Sequence, residues 1–236
     1  MAKKTSIERI KTGIIGLDWM LEGGLPSGSV IGLSGPAGIG KSLLSLHFLL
    51  EGAKNYEKGI YINLEEPRKN IDRIFSSANF GSNLLEHEKN GKLKIMCIPY
   101  DEFENIYNDL FTKIREDKKI TRLVIDSYNG FFNFHYGTGK GESIASKVNL
   151  RRLIVESFSL FRREGLTTLL VLEKDPKLLN DFTGLVSFFI DGEISLEYLS
   201  FGNIERRIFI PKMRWTCQHD SALPFVISNS GIKVNK

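Results

Sequence analysis

The residues with the most definite chemistry are Gly35-Pro36-Ala37-Gly38-Ile39-Gly40-Lys41-Ser42, a full GxxxxGK[ST] pattern. Glycines let the backbone wrap a phosphate closely and turn its N–H groups inward. Lys41 supplies a compact positive charge for the β- and γ-phosphates, and the Ser42 hydroxyl is a hard oxygen ligand suited to Mg²⁺. A helix opening at Lys41 would add its N-terminal dipole. A second group is Arg122-Leu123-Val124-Ile125-Asp126-Ser127, an apolar run ending in a carboxylate. Ligands of open parallel sheets lie at the carboxyl ends of strands, so Asp126 is expected near the loop and in the Mg²⁺ shell. By itself such an aspartate is more often a turn former or helix cap. A third group is Tyr61-Ile62-Asn63-Leu64-Glu65-Glu66-Pro67. One of its glutamates could polarise the water that attacks a γ-phosphate. The other could serve the first turn of a following helix, with Pro67 at its first position.

Positioning these groups requires strands that point the same way. Val30 to Leu33, Gly59 to Leu64, Leu93 to Ile98, Arg122 to Ile125 and Thr167 to Leu172 read as strands. Helical patterns lie between them: Lys41 to Ala53, the spacing Ile71, Ile74, Phe75, Ala78, then Phe103 to Glu116 and Ser143 to Glu164. Alternation of this kind predicts an α/β fold with a mostly parallel central sheet and helices on both faces. After residue 186 the pattern changes. Phe188-Phe189-Ile190, Ile194 to Tyr198, Arg207 to Pro211 and Phe225 to Ile227 read as strands with gaps too short for crossover helices, which predicts a C-terminal antiparallel extension. Asn229-Ser230-Gly231 reads as its last hairpin turn.

The chain has 236 residues, enough for one domain with a sizeable core, and no repeat or linker divides it. A hydrophobic share of 42% and a charged share of 25% exclude global disorder and collagen. No apolar run approaches the 18 or so residues of a membrane span, and Met1-Ala2-Lys3-Lys4-Thr5-Ser6 lacks the apolar stretch expected of a signal peptide. Cys97 and Cys217 form no CxxC, so a cytoplasmic setting is expected and a disulfide framework or zinc site is not. The net charge of +4 permits an anionic partner without arguing for one.

In their order along the chain these pieces resemble a single KaiC-type domain of the RecA superfamily. The resemblance rests on Thr12-Gly13-Ile14-Ile15-Gly16-Leu17-Asp18, Gly23 to Ser29, the phosphate loop, Tyr61 to Pro67, Ile125-Asp126-Ser127, Ile190-Asp191-Gly192 and Lys212-Met213-Arg214. It implies one RecA-like P-loop ATPase domain over residues 1–236, binding ATP with Mg²⁺ between neighbouring subunits of a homo-oligomeric ring, often a hexamer. It gives Lys41 and Ser42 the phosphate and magnesium roles and makes Asp126 the Walker B acid. Glu65 and Glu66 become the acidic pair, with Glu65 at the catalytic glutamate position. Lys212 and Arg214 become a basic pair that reaches a neighbour's γ-phosphate. Trp215 stands where family members often have glycine, and the stretch that follows, with His219, is one residue longer than usual.

The leading reading is therefore Mg²⁺-dependent ATP hydrolysis at subunit interfaces, coupled to a regulatory output that the sequence does not name. An ATP-controlled modulator of recombination like the RadA paralogues, and a self-phosphorylating signalling module, are the alternatives. Phe131, Phe132, Phe134, His135 and Tyr136, beside Lys140 and Lys147, could stack single-stranded DNA, but rings that fill a core or interface are the favoured reading. Arg151, Arg152, Arg162 and Arg163 on the long helix read as a solvated face or subunit contact, and the four histidines show no metal-ligand spacing.

Overall fold

The structure is a computed structural model that describes residues 7–76, 79–99, 110–130, 144–173, 181–201, 203–217 and 219–235. Strands β1 (Arg9–Ile10) and β2 (Leu25–Pro26) pair with each other near the start of the chain, around the short helix α1 (Ile15–Met20). The other described strands form one nine-stranded sheet. They are β3 (Val30–Gly35), β4 (Lys58–Asn63), β5 (Leu93–Cys97), β6 (Ile120–Asp126), β7 (Thr167–Glu173), β8 (Gly192–Phe201), β9 (Asn203–Met213), β10 (Leu223–Ser228) and β11 (Gly231–Val234). Their spatial order is β11-β10-β9-β8-β3-β7-β6-β4-β5. From β8 to β5 every pairing is parallel, and from β8 to β11 every pairing is antiparallel. The longer helices are α2 (Lys41–Lys54), α3 (Arg68–Ser76), α4 (Asn79–Lys89), α5 (Ile144–Arg163) and α6 (Asp181–Phe189), with a helical segment over residues 110–116.

Strand alternation sorts the core into two layers. Ile31, Leu33, Tyr61, Val124, Leu169 and Val171 face α2 and pack with Leu44, Leu46, Phe48 and Leu49. Their strand neighbours Val30, Ile60, Ile62, Leu123, Ile125 and Leu170 face the other way, onto Ile154, Phe158 and Phe161 of α5. The same alternation puts Arg122 and Asp126 on the α2 face. Arg122 is 1% exposed, so its charge must be answered inside the fold. Glu57 takes two of its N–H groups, at 2.8 and 2.9 Å, and the carbonyls of Lys11 and Phe48 take 2.7 Å bonds from Nη1. The guanidinium also lies 4.7 Å from the Phe48 ring centroid. Gly52 makes room for it: a Cβ there would stand 2.4 Å from Arg122 Nε.

Two expectations about the late strands are corrected. Phe188-Phe189-Ile190 is not a strand. Phe188 and Phe189 end α6, and the Ile190 N–H bonds the Val186 carbonyl at 3.1 Å in helical register. Three apolar residues have no period; Leu185, Val186, Phe189 and Ile190, at spacings of one, three and four, do, and they pack on the α5 side of the sheet. The late strands are also not all antiparallel. With α6 as part of a crossover, β8 enters parallel to β3, Ile31 opposite Gly192, and only then does the chain turn back into β9. The final hairpin forms as expected, Ser228 pairing with Gly231. The expected helix from Phe103 is helical over 110–116, and its earlier part lies outside the described residues.

β11 is tied to α2 through His47. The Ile232 backbone N–H donates to His47 Nε2 at 2.8 Å, and the imidazole stacks on Phe80 at 4.1 Å. Burial, then the Lys54 charge, lower the His47 pKa to about 4.

Gly52→Ala is expected to destabilise the fold by about 2–3 kcal/mol in urea titration, because the added methyl meets a guanidinium fixed on all sides and the Ala helix preference recovers only part of the loss. A variant as stable as wild type would mean that the Arg122 packing imposes no constraint. His47 gives a pH signature. Its folded pKa is depressed relative to about 6.5 in the unfolded chain, so between those values the unfolded state binds more protons and stability rises with pH. Its contribution is complete above about pH 6.5 and is lost as pH falls toward 4, by about 3 kcal/mol in all. His47→Gln, measured by denaturant midpoints across this window, should flatten the slope relative to wild type; parallel curves would contradict the assignment.

Candidate functional site

β3 delivers the chain to Gly35 at the carboxyl edge of the parallel strands, and α2 begins at Lys41. The loop between them needs left-handed backbone at Gly38 (φ 72°) and at Gly40 (φ 117°), which a side chain would disfavour. Gly40 is the N-cap of α2 and contributes no side-chain cap, and no acidic residue occupies the first turn. The first-turn N–H groups are therefore not capped by a side chain of the helix itself, which leaves them free to meet an anion. Lys41 is 7% exposed and its ammonium donates to the Gly35 and Pro36 carbonyls, each at 2.9 Å. Burial lowers its pKa, opposed by the charges of Glu173, Asp126 and Glu65.

Asp126, at the end of β6, is 7% exposed. The Tyr61 hydroxyl donates to its Oδ2 at 2.5 Å, and its carboxylate is also hydrogen-bonded to Ser42. Burial raises the Asp126 pKa, while the bonds from Ser42 and Tyr61 pull it down. Tyr61 itself is pushed well above the ordinary phenol value, first by burial and then by the Asp126 charge, so it stays a proton donor. Ser42 and Asp126 thus offer a hydroxyl and a carboxylate side by side. Among the described residues no three His, Cys, Asp or Glu gather as a metal cluster. A divalent cation here would need phosphate oxygens and water for the rest of its shell, which fits Mg²⁺.

The acidic pair is held by a turn. Asn63 Oδ1 accepts the backbone N–H groups of Glu65 at 3.0 Å and of Glu66 at 2.6 Å. The Ser127 hydroxyl donates to Glu65 Oε1 in a close contact, which distinguishes Glu65 from Glu66 and aims it at the Asp126 strand end. α3 begins at Arg68, so Glu66 and Pro67 lie before its first turn. Tyr61, Asn63, Ser127 and Glu173 are members of this site that the motifs did not single out. The signal for Tyr61 was available, since a phenol on a buried strand needs a partner and alternation points it to the face of Asp126. Glu173 ends β7 beside Gly35 and is fixed by Asn129, whose side chain accepts its N–H at 2.9 Å and donates to its carbonyl at 3.3 Å.

Ser42, Asn63, Glu65, Asp126, Ser127 and Glu173 line a cavity of about 640 Å³, together with Ala37, Gly38, Gly40 and Lys41. Ile71, Phe80, Ile227 and Asn229 line it too, with Ile227 set against Gly40, so the C-terminal hairpin closes a slot whose apolar lining adjoins the phosphate loop.

Lys212 and Arg214 are not brought there. Lys212 Nζ donates to the carbonyls of Ser187 at 3.1 Å and Ile190 at 2.8 Å, at the C-terminal end of α6. Arg214 donates to Asp191, whose backbone N–H bonds the Val30 carbonyl at the amino end of β3. Met213 and Ile31 flank Gly192 on either side. The basic pair thus sits about 13 Å along the sheet from Gly35, with a strand between. His219 stacks on Trp19 with ring centroids 4.0 Å apart. The aromatic segment 131–136, the glycine-rich stretch with Lys140, and the Lys147 side chain lie outside the described residues. No described helix is long and apolar enough to cross a membrane.

Comparison with known proteins places this geometry. A family profile described as "ATPase: KaiC" matches residues 10–236. The UPF0273 protein of Pyrococcus furiosus is 29% identical over 246 residues, covering 97% of this chain and 94% of that protein. The circadian clock oscillator protein KaiC of Parasynechococcus marenigrum is 28% identical over 245 residues, and the chain spans 45% of its length. The crystal structure of a KaiC-like protein from Pyrococcus horikoshii aligns with a TM-score of 0.79 at 29% identity, over 98% of this chain and 100% of that one. The mixed sheet with its antiparallel extension is accordingly the RecA-like arrangement. With the profile running over residues 10–236 and the fold match over 98% of its length, the chain belongs to the KaiC family of ATPases.

Proposed function

We propose that the chain is a Mg²⁺-dependent ATPase whose active site is completed by a second copy of itself in a homo-oligomeric ring, its turnover coupled to a regulatory output. The observation that supports this most is the separation within one chain. The phosphate loop, Asp126 and Glu65 share the carboxyl edge of the sheet, while Lys212 and Arg214 sit at the amino end of β3. A basic pair so placed cannot serve its own loop, but in a head-to-tail ring it would face the loop of the next subunit.

In this reading the loop amides and the N-terminus of α2 cradle the phosphates of ATP. Lys41 turns from the Gly35 and Pro36 carbonyls toward the phosphate oxygens, a better match for its charge. Ser42 and Asp126 hold Mg²⁺, which when bound neutralises charge on the phosphates. Glu65, oriented by Ser127, accepts a proton from the attacking water. Arg214 of the neighbour, with Lys212 beside it, stabilises the charge that develops as the terminal phosphate departs. Phe80 and Ile227 offer the apolar side of the slot to the base.

Glu65→Gln should slow hydrolysis about 10²–10⁴-fold while leaving ATP affinity by calorimetry near wild type, since it removes a base and not a binding charge. Glu66→Gln, which lacks the Ser127 contact, should do less; the reverse order would exchange the roles of the pair. Lys41→Ala and Arg214→Ala should each be inactive, the second by about 10³–10⁵-fold if it acts as a finger. Mixed together, they should regain activity at interfaces that join an intact loop to an intact finger. Mixed rings, verified by native mass spectrometry, that stay inactive would count decisively against a shared site.

A further inference from the structure

Asp191 is a buried carboxylate with two arginines, and it does not treat them alike. Its side chain is 3% exposed. Oδ2 accepts three donors: the Val30 N–H at 3.0 Å, Arg162 Nε at 3.1 Å and Arg162 Nη2 at 2.9 Å. Arg162 is fixed further by a 3.1 Å bond to the Phe189 carbonyl, and its guanidinium lies 6.0 Å from the Phe158 ring. Oδ1 accepts one bond, from Arg214 Nη1 at 3.2 Å, and the Arg214 side chain is 49% exposed. The Arg214 backbone is held independently, its N–H donating to the Asp191 carbonyl at 2.9 Å.

We infer that Asp191 and Arg162 form a latch for Arg214: Asp191 parks the guanidinium while the neighbouring site is empty, and Arg162 keeps the carboxylate neutralised when Arg214 leaves for the neighbour's nucleotide. This rests on the finger reading of Arg214 and adds to it the residues that make the finger releasable. The physical point is the cost of stranding a charge. A buried carboxylate that loses its only cation is strongly disfavoured. Asp191 does not face that cost, because the two-point contact with Arg162 and the Val30 N–H remain after Arg214 goes. Arg214 gives up its single, longest and most exposed contact, and its anchored backbone keeps the side chain within reach of the interface. Without Arg162, Arg214 would become the one cation hydrogen-bonded to the carboxylate among the described residues, with Lys212 acting only at longer range, and the carboxylate would hold it back. Arg162 and Asp191 are then positioning residues, since neither touches the nucleotide.

The test is the ATPase kinetics of a small set of full-length variants, with ATP affinity measured in parallel and folding checked by circular dichroism melts. Arg162→Gln should lower kcat at least about 10-fold with ATP affinity near wild type, because the finger is trapped. Arg162→Lys keeps a charge without the two-point fork and should lie between. Asp191→Asn, which keeps an acceptor for the Val30 N–H, should raise kcat a few-fold by unparking the finger. The double variant Arg162→Gln/Asp191→Asn should recover most of the activity lost in Arg162→Gln. A merely structural ion pair behaves otherwise: both single variants lose activity and the double variant does not recover it. If Arg162→Gln does not fold, Arg162→Lys with and without Asp191→Asn carries the same comparison. Failure of the latch and failure of the finger are separable. An active Arg214→Ala removes both, whereas an inactive Arg214→Ala beside an Arg162→Gln or Arg162→Lys that turns over at the wild-type rate removes the latch alone.

Discussion

The shared direction of the strands from β8 to β5 is the constraint on which the rest depends. Parallel strands have one common carboxyl edge, so Gly35, Asn63, Asp126 and Glu173, each the last residue of its strand, are delivered to one line. Alternation along β4 and β6 then turns Tyr61 and Asp126 to the face covered by α2, where Ser42 lies in the first turn of that helix. A loop that takes phosphate, a hydroxyl–carboxylate pair and an oriented glutamate are in this sense consequences of strand polarity and period two. The closely packed apolar layers on either face hold the register on which both depend.

The same polarity separates the phosphate-loop residues from the basic pair. β8 runs with β3, and β9 returns against it, which carries Lys212 and Arg214 to the amino end of β3. A chain built this way carries the phosphate-loop residues on one edge and, toward the other end of the sheet, the basic pair beside Asp191. Both basic side chains are engaged locally, Lys212 with carbonyls at the C-terminal end of α6 and Arg214 with Asp191. Burial, then the neighbouring Arg214 charge, lower the Lys212 pKa. The charges of Asp191 and Glu193 oppose that shift, so the basic pair is partly neutralised within the chain.

What could be read from sequence follows from how local each signal is. The phosphate loop is eight contiguous residues whose types are dictated by backbone conformation and charge, and it forms where the pattern lies. Asp126 and Glu65 could be placed because each ends an apolar run at a predictable edge. Ser127, Asn129 and Glu173 act through hydrogen bonds between strand ends, which depend on the β4–β6 and β6–β7 registers and leave no mark in the local pattern. The segment ending in Phe188-Phe189-Ile190 misled for the complementary reason. Three apolar residues carry no period, and the helical spacing becomes visible only when Leu185 and Val186 are included. Arg162, read as part of a solvated face or subunit contact, is bonded to a buried carboxylate at β8's entrance, a long-range pairing that helix periodicity cannot reveal.

The central claim is that one chain holds only part of its active site. It is tested most directly by the ATPase rate per chain as a function of chain concentration, with light scattering reporting assembly at each point. A shared site predicts that the rate per chain falls steeply on dilution, in step with loss of the assembled species, and is negligible for the monomer. A rate per chain that stays constant down to concentrations where only monomer is present would contradict it.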